Sequence, residues 1–476
     1  MTGRGCRTAA PALALAVVLA LGAGAYPATA TPAEAAVAAS PAADHPATDH
    51  PATDHPATDH PATGVTPPAP PPLVTAPPPG LRPDAAAPGL RRPQACTPPP
   101  PDGSAAADTG AARMQLSAVH RLATGSGQVV AVIDTGVHPD PRFGTRLRGG
   151  GDYLTGGDGL DDCDGHGTAV AGILAAAAAP GGRAGFVGMA PDAQLVASRQ
   201  SSPSFQVPGP DGVLRPAGDV ATLADAIVLA VREGARVINI SEAVCLPAAQ
   251  AAGQGRSIQA ALRYAARADV VVVVAAGNAG VGSCAVPGRE PPDQVSLPGW
   301  YGDDVLAVGA VGPDDTPASF TVPGAWVDLA APGTGLRSLA VAGGTTGTGV
   351  VGTSFAAPWV AGLAALVRER YPDLTAAQVV DRILATARRA PGGNAVGRGV
   401  VDPVAALTAV PVLVAPDRPG APAPTAELPV GMPVAAPDDG PVDLLAATTL
   451  LTACGATVWV LRRRPARGPR EGRFPA

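Results

Sequence analysis

Lysine is absent from this sequence of 476 residues, and aromatic residues make up only 3% of it. All 33 basic residues are therefore arginine, and with 39 acidic residues they leave a formal net charge of −6. Because the chain lacks the basic excess that is typical of nucleic-acid binding, no nucleic-acid partner is predicted. Charged residues are also scarce, at 15%, but the hydrophobic fraction of 46% suffices for one core of ordinary domain size, which excludes a wholly disordered chain.

Histidines available to a folded domain are few. Four of the seven histidines fall in a tandem DHPAT repeat within residues 44–63, which leaves His120, His138 and His166. Any catalytic histidine therefore comes from those three.

The N-terminal residues 1–30 have the pattern of a secretory signal peptide. Arg4 and Arg7 precede an apolar run over 12–21, and small residues follow up to Ala30. An uncleaved anchor or a buried helix is the alternative, but the run is shorter than the roughly 20 residues that a bilayer span needs. The folded part of the chain is therefore predicted to be exported.

Near the other end, residues 444–461 carry no charge and are followed at once by three arginines. This pattern predicts a single transmembrane helix whose C-terminal flank, the Arg-rich tail 462–476, is cytoplasmic. A buried soluble helix is the alternative. We expect a protein of the cell membrane, with one span and its catalytic domain on the extracytoplasmic side.

Two segments are rich in proline, in keeping with the 59 glycines and 56 prolines of the chain. Residues 31–95, which include the DHPAT repeats, are predicted to be a disordered Pro/Ala-rich segment. The regularly spaced histidines of the repeat could indicate a metal tract, but no anchoring fold accompanies them, and solvated low complexity is favoured. Residues 411–443 are predicted to be a Pro-rich linker between the domain, 124–410, and the span.

Six cysteines are present, of which Cys6 falls in the predicted signal and Cys454 in the predicted span. The four that remain are Cys96, Cys163, Cys245 and Cys284. An even number in an oxidising compartment indicates two disulfides, for which three pairings are possible. A zinc site is the alternative, but the sequence has no CxxC motif, and no metal is predicted.

Of the three pairings we expect Cys96 with Cys163, which would tie the N-terminal extension 96–123 to the domain. Cys245 and Cys284 flank the strand and loop around Asn278, and we expect them to pair with each other. The extension itself is predicted to pack on the domain rather than act as a removable inhibitor, because four apolar residues fall near one helical face. These residues are Met114, Leu116, Val119 and Leu122.

Short apolar runs alternate with helical patterns in the middle of the chain. Continuous β-branched runs, typical of strands buried on both faces, lie at 128–133, 194–197, 236–240 and 270–274. Helical spacing lies at 168–179, 221–233 and 257–268. This alternation predicts an α/β fold with a doubly wound parallel sheet and flanking helices. Its active site should lie beyond the C-terminal ends of the strands.

Three glycine-bounded sequences supply the parts of an activated nucleophile. Asp134 follows a predicted strand in VAVIDTGV, His166 stands between two glycines in DGHGTAVAGI, and Ser354 opens a predicted helix in GTSFAAP. Each residue alone has an ordinary structural explanation, as a cap, a core histidine or a helix N-cap. An aspartate, a histidine and a serine on loops of one domain are what a general base that activates a hydroxyl requires.

A fourth motif, AAGN, ends in Asn278. Its side-chain amide could donate to a developing oxyanion together with the backbone N–H of Ser354. Taken alone, Asn278 is better explained as a turn residue after Gly277.

With these four motifs in this order, residues 128–407 resemble the subtilisin-like serine protease family. More narrowly, the chain resembles the mycosins, the membrane-anchored subtilases of type VII secretion systems. That likeness rests on CDGHGTAVAGI, GFVGMAPDAQLVASRQSS, VINISEAVCLPA, WYGDDVLAVGAVG and GRGVVDPVAAL. It implies a subtilisin-like fold, a serine endopeptidase without cofactor, the triad Asp134, His166 and Ser354, and Asn278 as the oxyanion residue. It also implies an exported protein substrate and a type VII secretion membrane complex as partners.

The chain departs from subtilases at the edge that pairs with substrate backbone. After Ser241, where subtilases generally place a small or apolar residue and then glycine, Glu242 and Ala243 stand instead, so the substrate preference is open. The primary role is open as well. A narrow endopeptidase is favoured over a structural subunit whose proteolysis is dispensable, and over a broad degradative protease.

Overall fold

A computed structural model describes residues 68–92, 95–96, 98, 101, 109–179, 186–209, 211–285, 293–347 and 349–410. The predicted signal peptide 1–30, linker 411–443, span 444–461 and tail 462–476 lie outside these residues. Within the described part, none of the helices combines the length and the apolar character that a bilayer crossing requires.

Eleven strands and nine α-helices occur in the described residues. The strands are β1 (Val129–Asp134), β2 (Leu147–Asp152), β3 (Gln194–Arg199), β4 (Ser202–Pro208), β5 (Leu214–Ala217), β6 (Val237–Ile240), β7 (Val244–Pro247), β8 (Val271–Ala275), β9 (Gln294–Leu297), β10 (Leu306–Val311) and β11 (Leu329–Pro332). The helices are α1 (Thr109–Arg113), α2 (Leu116–Val119), α3 (His166–Ala175), α4 (Val220–Arg232), α5 (Ala248–Gln254), α6 (Arg256–Arg267), α7 (Thr353–Arg370), α8 (Ala376–Ala385) and α9 (Pro403–Thr408).

Seven of the strands form one parallel sheet in the order β11-β10-β8-β6-β1-β3-β2. Helices α3 and α7 pack on one face and α4 and α6 on the other. Along β1, Val130 and Val132 face the α3 and α7 layer, whereas Ala131 and Ile133 face the opposite layer. Because both faces are covered, the strand is apolar from Val129 to Ile133, and the predicted doubly wound α/β sheet is confirmed.

The four predicted strands correspond to β1, β3, β6 and β8, with ends that differ by at most two residues. The three predicted helices correspond to α3, α4 and α6, although α3 begins at His166 and ends at Ala175. The sequence LRGGGD gave no strand signal, yet it forms β2 at the edge of the sheet, because three glycines lack the β-branched side chains by which strands are recognised.

Residues 68–92 correct the expectation of a disordered segment over 31–95. This stretch has almost no regular secondary structure, but it lies on the domain and is fixed by hydrogen bonds at both ends and in the middle. The bonds run from Trp300 Nε1 to the Pro68 carbonyl (2.9 Å), from the Gly80 amide to Asp225 Oδ1 (2.9 Å), from the Ala87 amide to the Leu154 carbonyl (2.9 Å) and in both directions between Arg91 and Gln206 (2.8 and 3.0 Å).

The physical reason lies in proline itself. A Pro-rich segment cannot build a core, but its unfolded state has few conformations to lose, so docking it on an existing surface costs little entropy. Composition therefore predicts correctly that the segment lacks its own core, and wrongly that it lacks order.

The part of the extension from 109 to 123, which the structure describes, packs on the domain as predicted. Met114, Leu116 and Val119 of the α1 and α2 region are buried and join the core that contains α7, with Leu122 partly buried against it. Both expected disulfides, Cys96–Cys163 and Cys245–Cys284, are present.

Substitution Met114→Ala tests whether the extension belongs to the cooperative core. Since the Met114 side chain is 1% exposed, its truncation should lower the free energy of unfolding by about 2–5 kcal/mol. The measurement is urea unfolding of the oxidised protein. The exposed neighbour Ser117 supplies the control Ser117→Ala, which should leave stability nearly unchanged. Equal stabilities of the two variants would show that the extension is not part of the core.

Candidate active site

The Asp134 carboxylate lies at the C-terminal end of β1 and is completely buried. Its Oδ1 atom accepts hydrogen bonds from the Thr135 amide, at 2.7 Å, and from Nδ1 of His166, at 2.6 Å. Gly136 adopts a φ of 103°, and a Cβ atom there would collide with the carbonyl of Asp161. A tight turn therefore follows this strand, and it points the carboxylate toward the imidazole.

His166 is the first residue of α3. Gly165 before it has a left-handed φ of 77°, which favours glycine. A Cβ atom at Gly167 would overlap the carbonyl oxygen of Gly136, so the helix can begin this close to the end of β1 only with glycine there. The two glycines that flank the histidine thus set the distance between the imidazole and Asp134.

A further carboxylate, which sequence analysis did not identify, holds this loop in place. Asp162 is buried and accepts hydrogen bonds from Thr135 Oγ1 (2.9 Å), the Gly165 amide (2.8 Å), and both the amide (2.8 Å) and Oγ1 (2.6 Å) of Thr168. Burial raises its pKa. Its position four residues before His166, in a DDCD run, offered no signal that separates a buried acid from exposed ones.

Ser354 is the second residue of α7, and Asn278 faces the same helix start. The Oδ1 atom of Asn278 accepts hydrogen bonds from the amide and Oγ1 of Thr353, at 2.9 and 3.0 Å. This leaves Nδ2 of Asn278 as the donor, beside Gly352 at the opening of the helix. An amide in this orientation is suited to donate to a negative oxygen that develops next to Ser354.

Pro358, inside α7, explains a contact of Ser241. Proline has no N–H, so Pro358 cannot donate to the carbonyl of Ser354 four residues earlier. Ser241 Oγ donates to that carbonyl instead, at 2.6 Å, and accepts from Asn239 Nδ2 at 2.9 Å. The helix continues through Pro358 rather than stopping, and the candidate nucleophile is tied to the loop after β6.

His166, Ser354 and Asn278 line one cleft with a volume of about 330 Å³. The predicted substrate-binding residues line it too: Ser241, Glu242 and Ala243. Asp134 stands behind His166, away from the opening. The structure therefore brings together every residue that the sequence singled out for the site.

The disulfides brace this site. Cys245 lies in β7, directly after the wall formed by residues 241–243, and Cys284, which also lines the cleft, lies after Asn278. Their bond therefore joins the two walls. Cys163, bonded to Cys96, lies three residues before His166.

A second cavity, of about 500 Å³, lies on the other side of His166. Its wall is largely apolar and includes Val350, Val351 and Phe355. The Phe355 ring lies 4.9 Å from the His166 ring, centroid to centroid. Of the catalytic candidates only His166 lines both cavities.

Charges around His166 favour its protonated form. Burial opposes that form, but the charge and hydrogen bond of Asp134, with further contributions from Glu242 and Asp162, raise the pKa of His166 to about 9. Burial, reinforced by the charge of Asp134, also raises the pKa of the Glu242 carboxyl. The imidazole is consequently a strong base that must first lose its proton to act.

Comparisons with known proteins match this geometry. Residues 125–402 match the model of the subtilase family, Peptidase S8. Mycosin-1 of Mycolicibacterium smegmatis is 41% identical over 386 residues, which cover 74% of this chain and 84% of that protein.

Two solved structures extend the likeness to the fold. The MycP3 protease from the type VII (ESX-3) secretion system is 41% identical, with a TM-score of 0.63 over 72% of this chain and all of that chain. A chain in the periplasmic assembly from the ESX-5 inner membrane complex is 35% identical, with a TM-score of 0.64 over 79% of this chain and all of that chain.

Substitution Asn278→Ala tests the oxyanion donor. The rate at which a simple fluorophosphonate labels Ser354 should fall by about 10² to 10³ when this donor is removed. Labelling is followed over time by mass spectrometry of the intact protein. Because the Thr353 contacts are lost as well, the variant's unfolding curve is measured in parallel. An unchanged rate in a folded variant would contradict the role of Asn278.

The labelling rate should also depend on pH through His166. The imidazole acts as a base only when neutral, so the rate should rise with pH and level off above about pH 9, where the raised pKa lies. In Glu242→Gln, which removes one nearby negative charge, the rise should occur at lower pH. A wild-type midpoint near pH 6.5, the ordinary histidine value, would contradict the electrostatic account.

Proposed function

Because the chain belongs to the subtilase family and, within it, to the mycosins, we propose that it hydrolyses peptide bonds of exported proteins as a serine endopeptidase associated with type VII secretion. The observation that carries this proposal is the shared cleft of His166, Ser354 and Asn278, with His166 bonded at 2.6 Å to the buried Asp134. No cofactor is needed for this chemistry.

The reaction follows from the positions of the groups. With Nδ1 held by Asp134, Nε2 of His166 is the nitrogen left to take the proton of Ser354 Oγ as the hydroxyl attacks the scissile carbonyl. The negative oxygen that forms is stabilised by Nδ2 of Asn278 and the Ser354 amide, at the N-terminus of the 18-residue helix α7. His166 then protonates the leaving amine, and a water molecule activated by the same imidazole releases the acyl group.

Asp134 has a positioning and electrostatic task. It fixes the imidazole and stabilises the imidazolium that forms during attack, without itself taking the proton. Its complete burial, which makes its interaction with the imidazolium stronger than an exposed pair could provide, supports this assignment.

The location proposed for this activity is the extracytoplasmic face of the cell membrane. The resemblance to a chain of a periplasmic assembly supports an extracytoplasmic domain that associates with a type VII secretion membrane complex. We propose in addition that residues 1–30 direct export and that residues 444–461 form one span, with the linker 411–443 between the span and the peptidase domain.

A structural role within the secretion complex is the second candidate. It is favoured by the same resemblance, because that relative was solved as part of an inner membrane assembly. In this case the fold, rather than the triad, would be the required feature.

Substitution Ser354→Ala tests the peptidase. The wild-type protein should be labelled by a fluorophosphonate at Ser354, and the variant should not be labelled, because it lacks the attacking oxygen. Persistent labelling of Ser354→Ala would refute the assignment of the nucleophile.

The same variant separates the two candidate roles in a deletion strain. Complementation with Ser354→Ala is expected to leave the exported substrates uncleaved, which would be seen as a shift in their mass in the culture medium. Full restoration of secretion and of the substrate masses by this variant would favour the structural role.

A further inference from the structure

Glu242 is the one acidic residue among the described residues that line the cleft of Ser354. The described lining residues include no arginine, and the chain has no lysine. If the cleft receives a peptide, as the proposed function requires, Glu242 therefore supplies the only carboxylate that the peptide meets among the described residues of the lining.

The Glu242 carboxylate is held in place but not saturated. Ser201 Oγ donates a hydrogen bond to its Oε1 atom. A carboxylate has two oxygens with about four acceptor positions, so this bond uses one of them. The backbone is fixed as well, because the preceding residue, Ser241, is buried and bonded to the Ser354 carbonyl.

Asp164, the neighbouring acid, differs in this respect. Its carboxylate accepts hydrogen bonds from the hydroxyl groups of Ser202 and Ser204 and from the Ser204 amide. It is thus occupied by the strand β4. Glu242 is the carboxylate with acceptor capacity left over. Its pKa is raised by burial and by the charge of Asp134, which together outweigh the opposing effect of His166.

The side of the scissile bond that faces Glu242 follows from the two cavities. The carbonyl under attack must reach both Ser354 and Asn278, which line the same cavity as Glu242. The leaving amine must reach His166, the one catalytic residue that also lines the second cavity. The peptide therefore runs from the Glu242 cleft past His166, with its acyl side on Glu242.

We propose that Glu242 selects substrates with a basic side chain, arginine or lysine, at one position on the acyl side of the scissile bond. The cation would pair with the free acceptor positions of the carboxylate and replace the water that burial has removed from it. This inference rests on the proposed peptidase function.

The experiment compares peptidyl diphenylphosphonates, which react with an activated serine without turnover. Each of the four residues upstream of the phosphonate carries, in turn, arginine or citrulline, whose neutral ureido group has nearly the shape of guanidinium. The full-length protein should react about tenfold faster with arginine at one position, which corresponds to about 1.4 kcal/mol. The reactions are run above about pH 9, where Glu242 and His166 are both deprotonated, so that the rate ratio reports recognition of the cation rather than a change in the protonation of His166.

Variants assign that ratio to Glu242. In Glu242→Gln the arginine preference should disappear, and in Glu242→Arg the same position should favour glutamate over glutamine. The matched control is Asp381→Asn, which makes the same change of charge at an exposed position of α8 and should keep the full preference. Labelling by a simple fluorophosphonate checks that every variant retains a working triad.

Two results would overturn the inference. One is an equal rate for arginine and citrulline at all four positions in the wild type, and the other is a preference that survives in Glu242→Gln. In both cases the simple fluorophosphonate still labels Ser354. Loss of that labelling in the wild type would instead overturn the proposed peptidase function, so the two failures are distinguishable.

Discussion

The close approach of the first turn of α3 to the end of β1 is the constraint on which the site depends. It exists because Gly167 has no side chain where the helix meets the carbonyl oxygen of Gly136. Any Cβ atom there would push the helix outward and lengthen the 2.6 Å contact between His166 and Asp134. The buried Asp162 carboxylate binds both partners of this approach, the turn through Thr135 and the helix through Thr168. The position of the His166 imidazole is thus set first by backbone packing and only then by its electrostatic interaction with Asp134.

The nucleophile is held by a different device. Pro358 removes one hydrogen bond from the first turn of α7, and Ser241 supplies a replacement from the loop after β6. The same loop carries Glu242 into the cleft, so the residue that supports Ser354 and the residue that faces the substrate are adjacent in the chain. A displacement of this loop would consequently alter both the nucleophile and the substrate wall.

The sequence predicted structure correctly at positions where the backbone conformation admits only certain residue types. The site could be located from three features: the two glycines around His166, the strand before Asp134 and the helix after Ser354. The apolar runs located four adjacent strands of the sheet. Asp162 could not be recognised as a buried residue, because nothing in the local sequence distinguishes it from the aspartates beside it. Residues 68–92 were misjudged because composition describes what a segment can build alone, and not the surface that another part of the chain offers it. The edge strand β2 was missed for a related reason. It contains three glycines, so its side chains give no strand signal, and its strand conformation depends on pairing with β3.

Because the bond between Cys245 and Cys284 joins the two walls of the cleft, the covalent structure of the cleft depends on the redox state of the compartment that contains the chain. In a reducing compartment thiols stay unpaired, and the two walls would be held only by packing and hydrogen bonds. Once the chain is in an oxidising compartment, the bond closes and fixes the wall that carries Glu242 to the loop that carries Asn278. With the export proposed above, this bond would join the two walls of the cleft only after the chain has entered an oxidising compartment.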